Sequence, residues 1–350
     1  MRDDSTMDEA LEFLAPYGPD LSNGLTNHAP MAAEALCALG RAAAVMPWLD
    51  GYRKLLAPRP APRQRIGHED WRSALGRLDR FADWTAFFEA ELQEAAWREV
   101  AARWTMNLAP AICASATHGV IRVGHAVRSL VQSESPVRIH ELAEALGYWA
   151  ACYQTLPTAP PRMSGGAAPP HEAIARVPVV PQEQRHFTGT IVSSLEALDE
   201  FPAFAPVIGM IDTTAPPAEL LSDLTETFAR VYLANVHDVL STIVFIHGVT
   251  SVAAVRSILP VVDEAAARAA IRYGWQAGCA LYTAFGTRPA PDGAIEPPRE
   301  NRETLIDMAI TNGDEHAIKF TEACLREHAL NPSPAYLAAA RNALDMLPSA

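Results

Sequence analysis

Lysine is almost missing from this chain: only Lys54 and Lys319 occur, and every other basic side chain is arginine. Basic residues of both kinds are outnumbered, 28 against 41 acidic ones, for a formal net charge of −13. With no basic patch interleaved with aromatics, that balance argues against a nucleic-acid backbone or an anionic membrane surface as partner. The five cysteines (Cys37, Cys113, Cys152, Cys279, Cys324) form no CxxC pair, and each sits in an apolar helical context. They read as free core thiols, which suits a reducing cytoplasm. The opening MRDDSTMDEALEF is acidic and lacks an apolar signal core, so no secretory segment is expected. The longest apolar stretches, such as Val239 to Val249, are interrupted by Ser, Thr and His and read as too short to cross a bilayer.

Other absences narrow the chemistry. No GxGxxG follows a strand, so the common route to a bound NAD or FAD is missing. No P-loop, GxSxG elbow or HExxH helix occurs either. Strand-like alternation is scarce, and no internal repeat of solenoid length is present.

What remains is helical pattern. Hydrophobic residues make up 49% of the chain, enough to bury a full core. Ser5 caps a short helix through Leu14, and Pro30 opens a helix that ends at Gly40. The spacing predicts one helix over Asp83 to Trp104, a central apolar helix over Asn107 to Val131, and a third from Ser135-Pro136 to Tyr153. Residues 156–181 carry so many Pro and Gly that a long loop is expected, with the potential to cover a pocket. Helical pattern resumes over Ala218 to His247 and Asp263 to Phe285. A second Pro-rich break covers Pro289 to Pro298, and three helices follow over Glu300 to Ile310, Asp314 to His328 and Pro334 to Leu347. The expectation is an all-α protein, a single domain over residues 1–350, with helices layered around one interior.

Eleven histidines are available. His68, His140, His171, His186 and His328 lie in polar or Pro-rich contexts and read as surface or capping residues. His28, His118, His125, His237, His247 and His316 sit in apolar or small-residue surroundings. Helical bundles build metal sites from inward-facing side chains of this kind on different helices. His118 and His125 are seven apart, about 10 Å along one helix face, so one is expected at a metal and the other nearby or structural. His237 and His247 are ten apart, rotated by about 80°, so the spacing leaves both open. His237-Asp238 also admits the dyad of helical metal-dependent phosphohydrolases, although no matching upstream His and downstream Asp stand out.

The sharpest local feature is Asp314-Glu315-His316-Ala317-Ile318-Lys319. Asn312-Gly313 stops one helix and Asp314 caps the next, which puts His316 and Lys319 on one face. In an arginine-rich chain a retained lysine invites a reason based on the amine, since a buried Lys can lose its proton and an Arg cannot; the spacing equally admits a Lys whose stem covers apolar surface while its ammonium pairs with Glu315 or Glu322.

Several of these segments together resemble the questin oxidase-like family: Asn27-His28-Ala29-Pro30-Met31 with Leu36 and Leu39-Gly40, Thr117-His118-Gly119-Val120-Ile121-Arg122-Val123-Gly124-His125, Phe245-Ile246-His247-Gly248-Val249-Thr250, and His316-Ala317-Ile318-Lys319. They occur in family order and span most of the chain. The resemblance implies an oxygenase that uses dioxygen on an aromatic, quinone-like or polyketide-like small molecule, by ring cleavage or Baeyer–Villiger-type oxidation. It further implies non-haem Fe(II) held by four histidines and a carboxylated lysine. Carried over, the ligands are His28, His118, His316 and Lys319, with His237 preferred to His247 as the fourth histidine. His125 and His247 are left for catalytic roles. NADPH as an external reductant is required only if the reaction is a monooxygenation. The family's middle motif often has His where this chain has Arg122 and an aromatic residue where it has His125, so a different substrate pocket is expected around a retained metal site.

Overall fold

A computed structural model of the chain describes residues 4–159, 166–185, 189–290 and 293–349. His186 and residues 160–165 of the Pro-rich segment, on which some of the expectations above fall, lie outside them. The protein is mostly helical, at 69% helix. Its only sheet among the described residues is an irregular antiparallel pair, β1 (Tyr17–Leu21) and β2 (Leu56–Pro58). The chain forms two compact units, one of residues 1–154 and 257–266 and the other of residues 155–256 and 267–350.

The first unit contains α1 (Asp4–Leu14), α2 (Ala29–Ala38), α3 (Val45–Tyr52), α4 (Phe81–Glu94), α5 (Trp97–Leu108), α6 (His118–Gln132) and α7 (Pro136–Ala151). α7 is its centre and packs against both α4 and α6. Small residues permit the close approach: a Cβ on Gly147 would meet the Thr85 backbone nitrogen at 3.1 Å, and one on Gly119 would meet the Trp149 ring at 2.7 Å. Ser135 caps α7 as its sequence suggests, accepting from Arg138 N.

The expected helix over Asp83 to Trp104 is two helices. Ala95 and Ala96 are extended, and the chain turns there. The reason is tertiary. In one straight helix Phe88 and Trp104 would stand about 24 Å apart, whereas their rings meet at 4.9 Å. Trp104 Nε1 also donates to the Glu91 carboxylate at 3.1 Å. The expected helix from Asn107 to Val131 likewise starts only at His118, because Ser115, Ala116 and Thr117 all have positive φ (48°, 52° and 73°).

The second unit contains α8 (Pro170–Ala173), α9 (Ile191–Glu196), α10 (Pro217–Asn235), most of α11 (Val239–Ile258) and of α12 (Glu264–Phe285), then α13 (Arg302–Asn312), α14 (Glu315–Leu330) and α15 (Pro334–Met346). α14 and α15 pack most closely, with α10 against α15. Glu327 of α14 is buried with Arg256 of α11 at 2.9 Å. Gly278 of α12 lies so close to Phe228 of α10 that a Cβ there would sit 2.2 Å from the ring. The described parts of the Pro-rich segment are fastened at several points: Ala168 bridges Ile211, Gln276 donates to the Pro157 carbonyl at 3.0 Å, and Arg185 donates to the carbonyls of Val180, Phe285 and Gly286.

The expected helix over Ala218 to His247 also divides, at Val236 to Asp238. Asn235 ends α10 by accepting from Thr287 N (2.7 Å) and Arg288 N (2.8 Å), and Asp238 begins α11 by accepting from Ser241 N at 2.7 Å. α11 then continues through a 3-10 turn to Val261, and these 23 residues are long and apolar enough to cross a membrane. This corrects the reading of that stretch as too short. The most apolar window is 78% buried within the protein, as in a core helix.

Candidate functional site

His28 and His118 lie together in the first unit, with ring centroids 4.6 Å apart. Both are buried. His28 is the residue before α2, and its neighbour Asn27 holds the turn, donating to the Gly18 carbonyl (2.9 Å) and accepting from Ala29 N (3.0 Å). His118 is the first residue of α6, and its Nδ1 lies 2.5 Å from the Ser115 carbonyl. A carbonyl only accepts, so Nδ1 carries the proton and Nε2 carries the lone pair that a metal needs. The backbone that presents His118 is strained, since a left-handed conformation costs a non-glycine residue about 1–3 kcal/mol. Such strain persists only where surrounding contacts impose it.

His247 and His316 lie together in the second unit, with ring centroids 5.6 Å apart. His247 is inside α11, and its Nδ1 donates to the Ile243 carbonyl at 2.6 Å, the same tautomer-fixing arrangement as at His118. His316 is in the first turn of α14. Asp314, the cap of that helix, accepts from His316 N at 2.7 Å and lies 3.2 Å from His316 Nδ1. A carboxylate behind an imidazole is a common support for a metal-binding histidine. Burial pushes the Asp314 carboxyl up, but its bonds to His316 and Ala317 outweigh this and leave it below the ordinary value. Lys319, one turn on, is buried, and burial pulls its amine down to about 8 despite the nearby charges of Glu315 and Asp314. Lys54, by contrast, is exposed.

His28, His118 and His316 are thus each buried at the start of a helix, and each can offer a ring nitrogen to a metal ion. Two buried hydroxyls lie near the candidate ligands in sequence. Thr117 Oγ1, next to His118, and Thr321 Oγ1, two residues past Lys319, are fully buried without a hydrogen-bond partner.

The remaining expected residues lie elsewhere. His237 sits in the break between α10 and α11 with its side chain 63% exposed, and its Nδ1 donates to the Asn235 carbonyl at 2.9 Å. The structure therefore puts His247, not His237, beside His316. Asp238, its partner in the alternative dyad, is committed to Ser241 as a helix cap, and those bonds hold its carboxyl below the ordinary value. His125, expected to be catalytic, donates from Nδ1 to Glu34 at 2.7 Å, and Arg128 pairs with the same carboxylate. Arg122 makes a two-pronged ion pair with Glu141 and a further bond to Glu144, all buried. The two departures from the family motif are thus both absorbed by internal ion clusters. His68, His140 and His171 pair with Glu91, Glu89 and Asp223 on exposed or half-exposed faces.

Sequence reasoning missed Tyr148, whose hydroxyl bonds Ser115 Oγ (2.7 Å) and Thr26 Oγ1 (2.8 Å). It also missed Thr117. Nothing in Ser-Ala-Thr announces three left-handed residues, so no local signal pointed to either.

These features define a mostly helical protein with buried histidines, of which His118 and His247 each set Nδ1 against a backbone carbonyl and His316 against a carboxylate. The chain belongs to the questin oxidase-like family, whose model matches residues 25–324. Membership implies an oxidoreductase. No curated protein matches the chain.

Proposed function

We propose that this protein is a non-haem iron oxygenase acting on an aromatic or quinone-like small molecule, with His28, His118, His247, His316 and a carboxylated Lys319 as the iron ligands. The observation that carries this reading is the pair of buried histidines in each unit, with Nδ1–H of His118 and of His247 donating to a backbone carbonyl and Nε2 left with its lone pair. Neutral imidazoles with one anionic oxygen donor suit Fe(II), which when bound supplies the redox steps of dioxygen chemistry. His247 replaces His237 in the ligand set because it is buried and lies against His316.

The protein's own groups do the rest. The Ser115 and Ile243 carbonyls and the Asp314 carboxylate orient three imidazoles. The lowered pKa of Lys319 leaves a useful fraction of neutral amine at physiological pH. That amine attacks the carbon of carbon dioxide, loses a proton, and becomes a carbamate that offers oxygen to the metal. An oxidative ring cleavage that incorporates both oxygen atoms needs no further reductant; a monooxygenation needs an external one such as NADPH.

The test is elemental analysis after anaerobic Fe(II) loading, followed by oxygen uptake with quinone and phenol substrates. We expect iron to be retained, His118→Ala and His316→Ala to lower it sharply, and His68→Ala and His171→Ala to leave it unchanged. Lys319→Arg keeps charge and length but cannot form a carbamate, so it should lose iron, and a small carboxylic acid should partly restore it in Lys319→Ala. Wild-type protein holding under about a tenth of an equivalent of any transition metal overturns the reading, since a site of this donor count binds stoichiometrically. A fully metallated Lys319→Arg protein removes the carbamate.

A further inference from the structure

We propose that Tyr148 is a positioning residue that sets the imidazoles of both His28 and His118 through one hydroxyl. The inference rests on the metal-site reading for its purpose, but its geometry lies wholly within the first unit. The Tyr148 hydroxyl, carried by α7, bonds Ser115 Oγ at 2.7 Å and Thr26 Oγ1 at 2.8 Å, and those two hydroxyls are 3.3 Å apart. Three hydroxyls supply three protons and accept three, so a closed ring satisfies every donor, and its members polarise one another. Burial keeps the phenol well above its ordinary pKa and therefore protonated.

Each arm of this ring leads to one histidine. Ser115 is the first of the three left-handed residues, and its carbonyl is the acceptor that holds His118 Nδ1. Thr26 stands two residues before His28, in a turn tied by Asp20↔Thr26 bridging and by Asn27 N donating to the Pro19 carbonyl at 2.7 Å. The next residue of α7, Trp149, closes the grip from the other side. Its Nε1 donates to the Ala111 carbonyl at 2.9 Å, and its ring leaves no room for a Cβ at Gly119. α7 thus holds the strained turn at Ala111, Ser115 and Gly119. Without the Tyr148 hydroxyl, Ser115 is free to relax from its positive φ, and the carbonyl that fixes His118 moves with it.

The experiment compares wild type, Tyr148→Phe and Tyr336→Phe by nitrogen NMR of labelled histidines and by Co(II) titration with visible spectra. Tyr336→Phe is the control, because it removes a comparable buried hydroxyl bonded to Thr225 at 2.8 Å in the second unit. We expect wild-type His118 to hold the Nδ1–H tautomer. Tyr148→Phe should mix the two tautomers, weaken Co(II) affinity roughly tenfold and alter the cobalt spectrum. Tyr336→Phe should do none of these, although it loses similar stability. Thr26→Val, which opens the ring from a half-buried position, should shift the same signals in the event that Tyr148→Phe folds poorly. An unchanged His118 tautomer in both Tyr148→Phe and Thr26→Val overturns the proposal. A tautomer shift in Tyr148→Phe, with a wild-type protein that binds no metal, supports the positioning and overturns the metal-site reading instead.

Discussion

Glu34 shows how one buried carboxylate can carry a pH dependence. Burial alone would raise its pKa, but the Arg128 charge and the bonds from His125 and Arg128 outweigh that and hold it at about 2, against an ordinary 4.5. Between those values the unfolded chain binds the proton more readily, so stability falls as pH falls through that window. Above it the contribution is complete. Glu34→Gln leaves the half-buried Arg128 and His125 without their counter-charge, which should cost about 2 kcal/mol near pH 7. Urea denaturation across pH should show the gap between variant and wild type narrowing as pH drops below about 4.5. A gap that stays constant down to pH about 2 would mean that Glu34 is not ionised in the cluster. The same arithmetic explains why His125 could not be assigned from spacing. Its role is set by a glutamate far away in sequence, and only the fold brings the two together.

At the scale of elements, what could be read from the sequence was what local chemistry decides. Gly313 has φ 78° at the end of α13, and Asp314 caps α14, both as Asn-Gly-Asp suggests. Ser135-Pro136 opens α7, and Ser333-Pro334 opens α15 with the Ser333 side chain accepting from Ala335 N. The boundaries that were not legible are set by distant partners. Glu91 and the Phe87–Phe88 pair draw Trp104 back and break the helix at Ala95, while the backbone of Thr287 and Arg288 ends α10 at Asn235. That second break bears on the proposed ligand set. With one continuous helix the spacing left His237 and His247 both open and the family resemblance favoured His237; with the break, only His247 is inside α11 and buried. His247→Gln should therefore lose most of the bound metal, while His237→Gln should keep it, as read by metal content of matched preparations. The opposite pattern would restore His237 to the ligand set.

At the scale of the whole chain, the family match over residues 25–324 runs across both compact units, and so do the segments that first suggested it. Asn27-His28 and Thr117-His118 fall in the first unit, and Ile246-His247 and His316-Lys319 in the second. No one of these segments is diagnostic alone, which is why their order along the chain carried the resemblance and their chemistry had to come from the fold. If all five proposed ligands serve the same ion, the stoichiometry is one metal per chain, and its binding free energy stabilises every segment that supplies a donor. Two separate histidine-pair sites would instead take two metals with different affinities. Hydrogen exchange on metal-free and Fe(II)-loaded protein should therefore show protection rising together at the starts of α2, α6 and α14 and around His247, with a single transition complete at one equivalent. Protection confined to α2 and α6, or a second transition near two equivalents, would sink the shared site and leave the two pairs as independent metal-binding groups.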